Sequence, residues 1–575
     1  SRQVCGPRAV CQGLPGDQEL KASRRGMQGD LPIRRWRKGS RVADFDLNSM
    51  KVNLEQIIPR RLSYLHVFLL GLVIRFVYLW QAWANNELLD FPIVDAKAYV
   101  TWANSILAGQ LLWYDPSNYT PMYPFYLAFW FLLLRNIFAD PTVMIFSVFL
   151  VLGAAQAVMI GKTAELLWDR RTGIVAALLA AVYWPFVVIE ATFYAENCAL
   201  WTLSFGLLLF CLYNKEGRKR YLLLAGVAMA VSCLCRANEI LCMAVIACWL
   251  AVDTMRRRGI IAATGRTILL LLPLVLMSMP ILFWNYKLSG SAILRTQGSS
   301  CLYIGNEPDF GGLIVSPGWE WVTLEIKPLL AKKTVTAAKE EYWLDKTLET
   351  IKTRPGEWLE LQGKKLLMQV GNYEVSQEID TYRFRNSSPM LGCVFWPGFG
   401  FVFPLAIAGI VLAIRRRESK AVPVWLFAAV YLVSILPFQV ASRFRLPLLV
   451  PLLPFAAAFL VYAVDQARAR RFRALMVAGA GLLLGYAIVV PDYTDLGERN
   501  KIDHWLFVGV KRLNNGDHDG AMNAFAVSAK ELPNRVDSLV HMGYAQLTTN
   551  GIEQARASFQ EARRRNGGCL EALLG

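Results

Sequence analysis

Twelve apolar blocks, each close to the length of a bilayer crossing, leave this chain few ways to fold. They run at about 62–83, 121–138, 143–160, 173–189, 195–213, 221–236, 239–254, 267–284, 393–413, 422–438, 446–464 and 472–491. A helix needs roughly 20 mostly apolar residues to cross the hydrocarbon layer. In that layer a backbone must satisfy its own polar groups, which a helix does. Hydrophobic residues make up 55% of the 575, and the excess is gathered in these blocks rather than spread along the chain. The fold class that follows is mainly α: a polytopic helical membrane domain of about 11–13 spans.

The net charge is +17. Its Lys and Arg residues fall mainly in short loops between apolar blocks, so the charge reads as orientation before it reads as binding. Without a basic stripe and a reader motif, nucleic acid is not an expected partner. Lys215 to Arg220, Arg256 to Arg258, Arg415 to Arg417, Arg468 to Arg473 and the weaker Arg170-Arg171 mark the cytoplasmic side. That places 84–120, 189–197, 285–392, 437–446 and the C-terminal region outside. One parity conflict arises. Blocks 121–138 and 143–160 both have the look of spans, yet an odd number of crossings must separate the loop 84–120 from Arg170-Arg171. Either one block is re-entrant or the charge rule fails there.

Five regions follow. Residues 1–60 form a basic tail expected to be disordered, with Met50 as a candidate start. Residues 61–284 hold the N-terminal membrane core, 285–392 an outer loop domain, and 393–491 the C-terminal membrane helices. Residues 502–575 repeat at 34 residues: Gly509 pairs with Gly543, Ala521 with Ala555 and Phe525 with Phe559. Small residues where two helices touch, with Phe filling the gap, is tetratricopeptide chemistry. Two copies are expected, with a third beginning near Leu570. Their stacked surface suits a protein partner. The 11 cysteines are scattered without paired spacing, so neither a zinc site nor a disulfide framework is expected.

Several polar residues stand where an apolar setting makes them costly. Asp95 precedes Tyr99, Trp102, Ala103 and Ile106, an apolar stripe at helical spacing. It reads either as a cap or as a reactive carboxylate on a helix lying along the membrane surface. Glu190 and Glu196 flank Ala191 to Ala195 between two apolar blocks. Each is a solvated boundary residue or a functional acid. Arg236 and Asn238 interrupt the stretch 221–254. Arg443 and Arg445 open a late apolar block. A guanidinium fork matches phosphate oxygens, and it also reaches lipid headgroups by snorkelling.

In order, these features are an outer Asp-x-x-x-Tyr helix, Pro121-Met122-Tyr123-Pro124, Trp184-Pro185 ahead of Glu190, and Arg236-Ala237-Asn238. Tyr303-Ile304-Gly305-Asn306 and Arg443-Phe444-Arg445-Leu446-Pro447 follow. Over about 60–490 the chain resembles the bacterial protein O-mannosyltransferase-like branch of the C-type glycosyltransferases. The resemblance implies an inverting hexosyl or pentosyl transferase in a bacterial inner or plasma membrane. It would take a sugar from a polyprenyl-phosphate donor to a protein, lipid or glycan on the extracytoplasmic face. By that likeness Asp95 is the base, Glu196 the second acid, and Arg443, Arg445 and Arg236 hold the donor phosphate. Tyr99, Glu190 and Asn306 line the substrate cavity. No cofactor is assigned, and a divalent cation stays open. Two departures matter. Asp95 is followed by Ala96 where protein mannosyltransferases carry Asp-Glu, and Thr120 stands where aminoarabinose transferases carry a basic residue, so the acceptor does not carry over. A polysaccharide ligase, polymerase or flippase, or a scaffold built on the repeats, are the alternative readings.

Overall fold

The computed structural model describes residues 62–110, 119–135, 137, 142–295, 298–313, 319–333, 335–393 and 396–566. The basic tail with Met50 and the third repeat copy around Leu570 lie outside the described residues. All twelve apolar blocks are helical. In chain order the first are α1 (Tyr64–Asn85), α2 (Val94–Leu107), α3 (Met122–Leu134), α4 (Thr142–Leu167), α5 (Arg170–Ala181), α6 (Trp184–Glu190), α7 (Glu196–Glu216), α8 (Lys219–Cys235), α9 (Glu239–Arg258) and α10 (Ile260–Ser289). The outer segment adds α11 (Gly298–Asn306), α12 (Trp319–Leu330), α13 (Thr336–Thr353), α14 (Pro355–Val370), α15 (Thr381–Asn386) and α16 (Pro389–Gly392). Apolar helices return as α17 (Phe399–Arg415), α18 (Val422–Ile435), α19 (Ser442–Arg468) and α20 (Phe472–Val489). The short α21 (Leu496–Arg499) leads to α22 (His504–Asn514), α23 (His518–Glu531), α24 (Asp537–Thr548) and α25 (Ile552–Arg565). Helices α1, α4, α7, α10 and α19 are each long and apolar enough to cross a membrane alone.

The basic clusters gather at one end of the bundle. Arg170 donates to the Leu62 carbonyl at 3.0 Å, Arg171 faces Asp465 at 3.4 Å, and the Trp168 indole donates to Glu418. Gly217 supports this end too: at φ +74° it closes α7 with a left-handed cap, its N–H on the Tyr213 carbonyl.

The parity conflict turns on α3. Its 13 residues extend only about 20 Å, short of a crossing. Both of its ends lie beside the outer loops. At the start, Tyr119 donates to Asp95 at 2.7 Å. At the end, Arg135 shares one cavity with Asp90, Pro92, Thr142 and Phe193. Helix α3 is thus shorter than a crossing, whereas α4, with 26 residues, is long enough for one.

The block 173–189 also departs from expectation. It is two helices, α5 and α6, bent by 54°. Pro185 lies in the first turn of α6, where its missing N–H costs nothing, so the chain restarts there instead of continuing. The bend carries Glu190 inward, away from the boundary position expected for it. Its carboxylate takes a two-pronged ion pair from Arg75, at 2.6 and 3.0 Å. Gly153 makes room for it: a Cβ there would fall 2.1 Å from the Glu190 carboxyl carbon. Glu190 is a buried frame residue and not part of a substrate cavity.

The 34-residue repeat is a pair of helical hairpins, α22 with α23 and α24 with α25. A Cβ on Gly509 would lie 2.4 Å from the Phe525 ring, and one on Gly543 2.6 Å from the Phe559 ring. Glycine is what lets each hairpin close around its Phe. Phe507 and Val508 of α22 are buried in the same continuous apolar core as the membrane helices.

Candidate functional site

At the end of the bundle opposite the basic clusters, four separate stretches of chain converge. Asp95 lies in the first turn of α2, and no side chain caps that helix. The cap reading of Asp95 is thus not what the structure displays. Its carboxylate instead accepts from Tyr119 Oη at 2.7 Å and from Arg443 at 2.7 Å. Its backbone N–H donates to Glu378 at 3.2 Å. Arg443, in the first turn of α19, reaches Glu378 at 2.7 Å with the same terminal nitrogen. Its Nε donates to Gln377 at 3.1 Å. Tyr194 Oη donates to the other Glu378 oxygen at 3.0 Å. One guanidinium therefore joins two carboxylates that are 283 residues apart in sequence.

The two acids differ in environment. Burial works against the charge of both. For Asp95 the Arg443 guanidinium, with the hydrogen bonds from Glu378 and Tyr119, overrides it and holds the carboxyl well below its usual range. For Glu378 burial prevails over Arg443, the neighbouring Asp95 charge adds to it, and the group is pushed up to about 8. Of the two, Glu378 is the acid that keeps its proton to the higher pH. The unfolded chain releases that proton near pH 4.5 and the folded chain only near 8. Stability from this group is complete below the lower value and declines as pH rises through the upper one. Activity that needs the protonated form is expected to show an alkaline limb near pH 8. Glu378→Gln, which is neutral at every pH, should remove that limb. A pH–rate profile unchanged in the variant would mean that Glu378 is not the group responsible.

Around this centre lie a second guanidinium and a row of rings. Arg236 pairs with the fully buried Glu196, and its guanidinium stands 4.9 Å from the Phe444 ring. Arg443 stands 5.2 Å from the same ring, so the two cations flank one phenyl group. The ring of Tyr99 meets those of Tyr119 and Tyr123 edge-on, each at 4.9 Å. Arg295 lies over Tyr119 at 5.9 Å. A small cavity of about 30 Å³ borders Tyr194, Gln377, Glu378, Ser442, Arg443 and Leu446. Among the described residues no three His, Cys, Asp or Glu side chains are grouped to hold a metal.

The structure brings Asp95, Tyr99, Arg236, Glu196 and Arg443 together. Arg445 is not among them. It is 1% exposed, and its guanidinium is taken up by the carbonyls of Gln369 (3.1 Å), Gly371 (2.8 Å) and Tyr373 (2.9 Å) and by Glu374 (2.9 Å). It fastens the segment carrying Glu378 onto α19 and has no fork left for a phosphate. Asn306 is likewise committed. Its amide nitrogen donates to Leu302 and Pro437, both at 2.8 Å, and its oxygen accepts from Trp358 at 2.8 Å and Gln362 at 3.2 Å. It joins α11 to α14 and to the Pro437 carbonyl. Glu378, Tyr119, Tyr194 and Arg295 were not singled out in the sequence. Each lies in a loop with no periodic pattern around it.

An apolar helical bundle with two carboxylates on one arginine at its end is architecture suited to membrane-bound group transfer. Residues 119–284 match the family described as dolichyl-phosphate-mannose-protein mannosyltransferase. The matched segment includes Tyr119, Glu196 and Arg236, while Asp95, Glu378 and Arg443 lie outside it. No curated protein matches the sequence. Among solved structures, the chain is similar to the oligosaccharyltransferase of Archaeoglobus fulgidus. The form tethered to an acceptor peptide containing the NVT sequon matches with 12% identity and a TM-score of 0.42, over 80% of this chain and 58% of that one. The form in complex with an inhibitory peptide and a dolichol-phosphate matches with 12% identity and a TM-score of 0.40, over 79% and 59%. The apo form matches with 11% identity and a TM-score of 0.40, over 74% and 56%. The chain thus spans less than 60% of the length of these proteins.

Proposed function

We propose that this chain is an integral membrane glycosyltransferase, moving a hexose or pentose from a polyprenyl-phosphate carrier to an acceptor on the extracytoplasmic face. The observation that carries this reading is the Asp95–Arg443–Glu378 centre, set at the bundle end away from the basic loops and beside a segment that matches the mannosyltransferase family. Asp95 takes the proton of the acceptor as its oxygen bonds to the sugar's anomeric carbon. The bond from that carbon to the phosphate oxygen breaks, and its electron pair leaves on the phosphate. That oxygen needs a cation more than it needs an acid. Arg443 and Arg236 supply it, at the N-terminus of α19, where the helix dipole also favours an anion. A donor phosphate that draws Arg443 away from Asp95 frees the carboxylate to act as a base. The rings of Tyr99 and Tyr119 offer a face for the sugar.

The hairpins α22–α25 have tetratricopeptide spacing, and we read them as a docking surface for a protein partner on the same face. The alternative of a flippase or polymerase gives no task to an acid–guanidinium–acid centre built from α2, α19 and the loop before α15. The test uses purified protein in liposomes with polyprenyl-phosphate-hexose as the sole donor, scored by mass spectrometry of added envelope glycans, lipids and peptides. Transfer from that donor, and none from a nucleotide sugar, is the expected result. Turnover with the nucleotide sugar alone would overturn the reading.

A further inference from the structure

The two loops that carry the reactive carboxylates are tied to a third element outside the membrane helices. Residues 87–90 run directly into α2 and Asp95, and here α22 takes hold of the chain. Arg512 clasps Glu87 with two nitrogens, at 2.7 and 3.1 Å, and Lys511 reaches Asp90 at 2.6 Å. The loop carrying Glu378 continues into α15, where Arg383 reaches Glu531 of α23 at 3.0 Å. Glu531 also accepts from the Trp505 indole of α22 at 3.2 Å, and the Arg383 guanidinium lies 5.8 Å from the Trp505 ring. One hairpin thus holds both loops.

A second observation indicates why a hold is needed. Val94, the residue before Asp95, has φ +44°. A β-branched residue adopts that left-handed backbone only when its surroundings impose it. The strain sits between the clasp at 87–90 and the reactive carboxylate. Single exposed ion pairs hold weakly, but these act beside Phe507 and Val508, which are buried in the common core.

We infer that the α22–α23 hairpin is a positioning clamp: Arg512, Lys511 and Glu531 fix the segments bearing Asp95 and Glu378 so that both carboxylates meet Arg443. A protein bound to the repeats then acts on the site through the clamp. The kinetic consequence rests on the transferase reading above, whereas the structural one does not.

Two measurements on the full chain in detergent test it. In Arg512→Glu, amide hydrogen exchange is expected to speed up across 86–96, with exchange in the membrane helices unchanged. The turnover number should fall on the order of 10- to 100-fold, the scale of a roughly 1 Å misplacement of reacting groups, while donor KM changes little. The double variant Glu87→Arg/Arg512→Glu restores the pair with its charges exchanged. It should recover both exchange protection and turnover. Unchanged exchange at 86–96 in the single variant, or a double variant no better than the single one, overturns the clamp. Faster exchange that the double variant reverses, in a protein with no transfer from polyprenyl-phosphate-hexose, would uphold the clamp and remove the transferase reading instead.

Discussion

Asp95→Asn is expected to abolish sugar transfer in a protein that still inserts and purifies normally. The amide has almost the same size as the acid and still accepts the Tyr119 hydroxyl, which lies 2.7 Å from the native carboxylate. What it loses is the charge and the ability to take a proton. Removing a general base typically costs 10²- to 10⁴-fold. Folding should survive because Arg443 keeps its other carboxylate partner, Glu378, at 2.7 Å. The alternative, that Asp95 only stabilises the start of α2 through its charge, makes the opposite prediction: a melting temperature lowered by loss of about 0.3–1 kcal/mol of helix-dipole interaction with turnover intact. Turnover and thermal unfolding measured on one preparation separate the two. Normal transfer by the asparagine variant would take Asp95 out of the chemistry.

How much of this was legible in the sequence depends on the distance over which each feature is decided. Apolar blocks and the glycine–phenylalanine repeat are local patterns, and the helices at those places follow from them. The fate of an apolar block is less local. Residues 121–138 are as hydrophobic as a span, but whether they cross depends on where α2 and α4 leave the two ends. Glu190 looks like a boundary acid until the bend at Pro185 turns it toward Arg75, a partner 115 positions earlier. Arg443 and Arg445 differ by two residues, which on a helix sets them about 200° apart. One therefore faces the site and the other is buried against the 369–374 carbonyls. Glu378 was invisible for the same reason: a lone carboxylate in a loop acquires meaning only through the distant Asp95.

Arg443 is the residue whose loss is expected to cost most, because it does two jobs at once. In the resting protein it bridges Asp95 and Glu378, at 2.7 Å to each, with 11% of its side chain exposed. Arg443→Ala leaves two acids facing each other in a buried setting, and breaking a buried pair in this way typically costs 3–5 kcal/mol. That variant is expected to express poorly and to lose activity by unfolding, which says little about chemistry. Arg443→Lys is the informative change. It keeps one positive charge, so the carboxylates remain neutralised and the protein should fold. A lysine ammonium is a single point, however, and cannot hold Gln377, Glu378 and Asp95 while presenting a fork to a phosphate. Loss of one preorganised donor to the developing charge typically lowers turnover 10²- to 10³-fold, and a raised donor KM should accompany it. Rescue supplies the control. Millimolar guanidinium, which can fill the space left between the two acids, is expected to restore both folded yield and part of the turnover in Arg443→Ala, and to do nothing for Asp95→Asn. A lysine variant with native turnover and native donor KM would show that the phosphate is held elsewhere, with Arg236 the next residue to test.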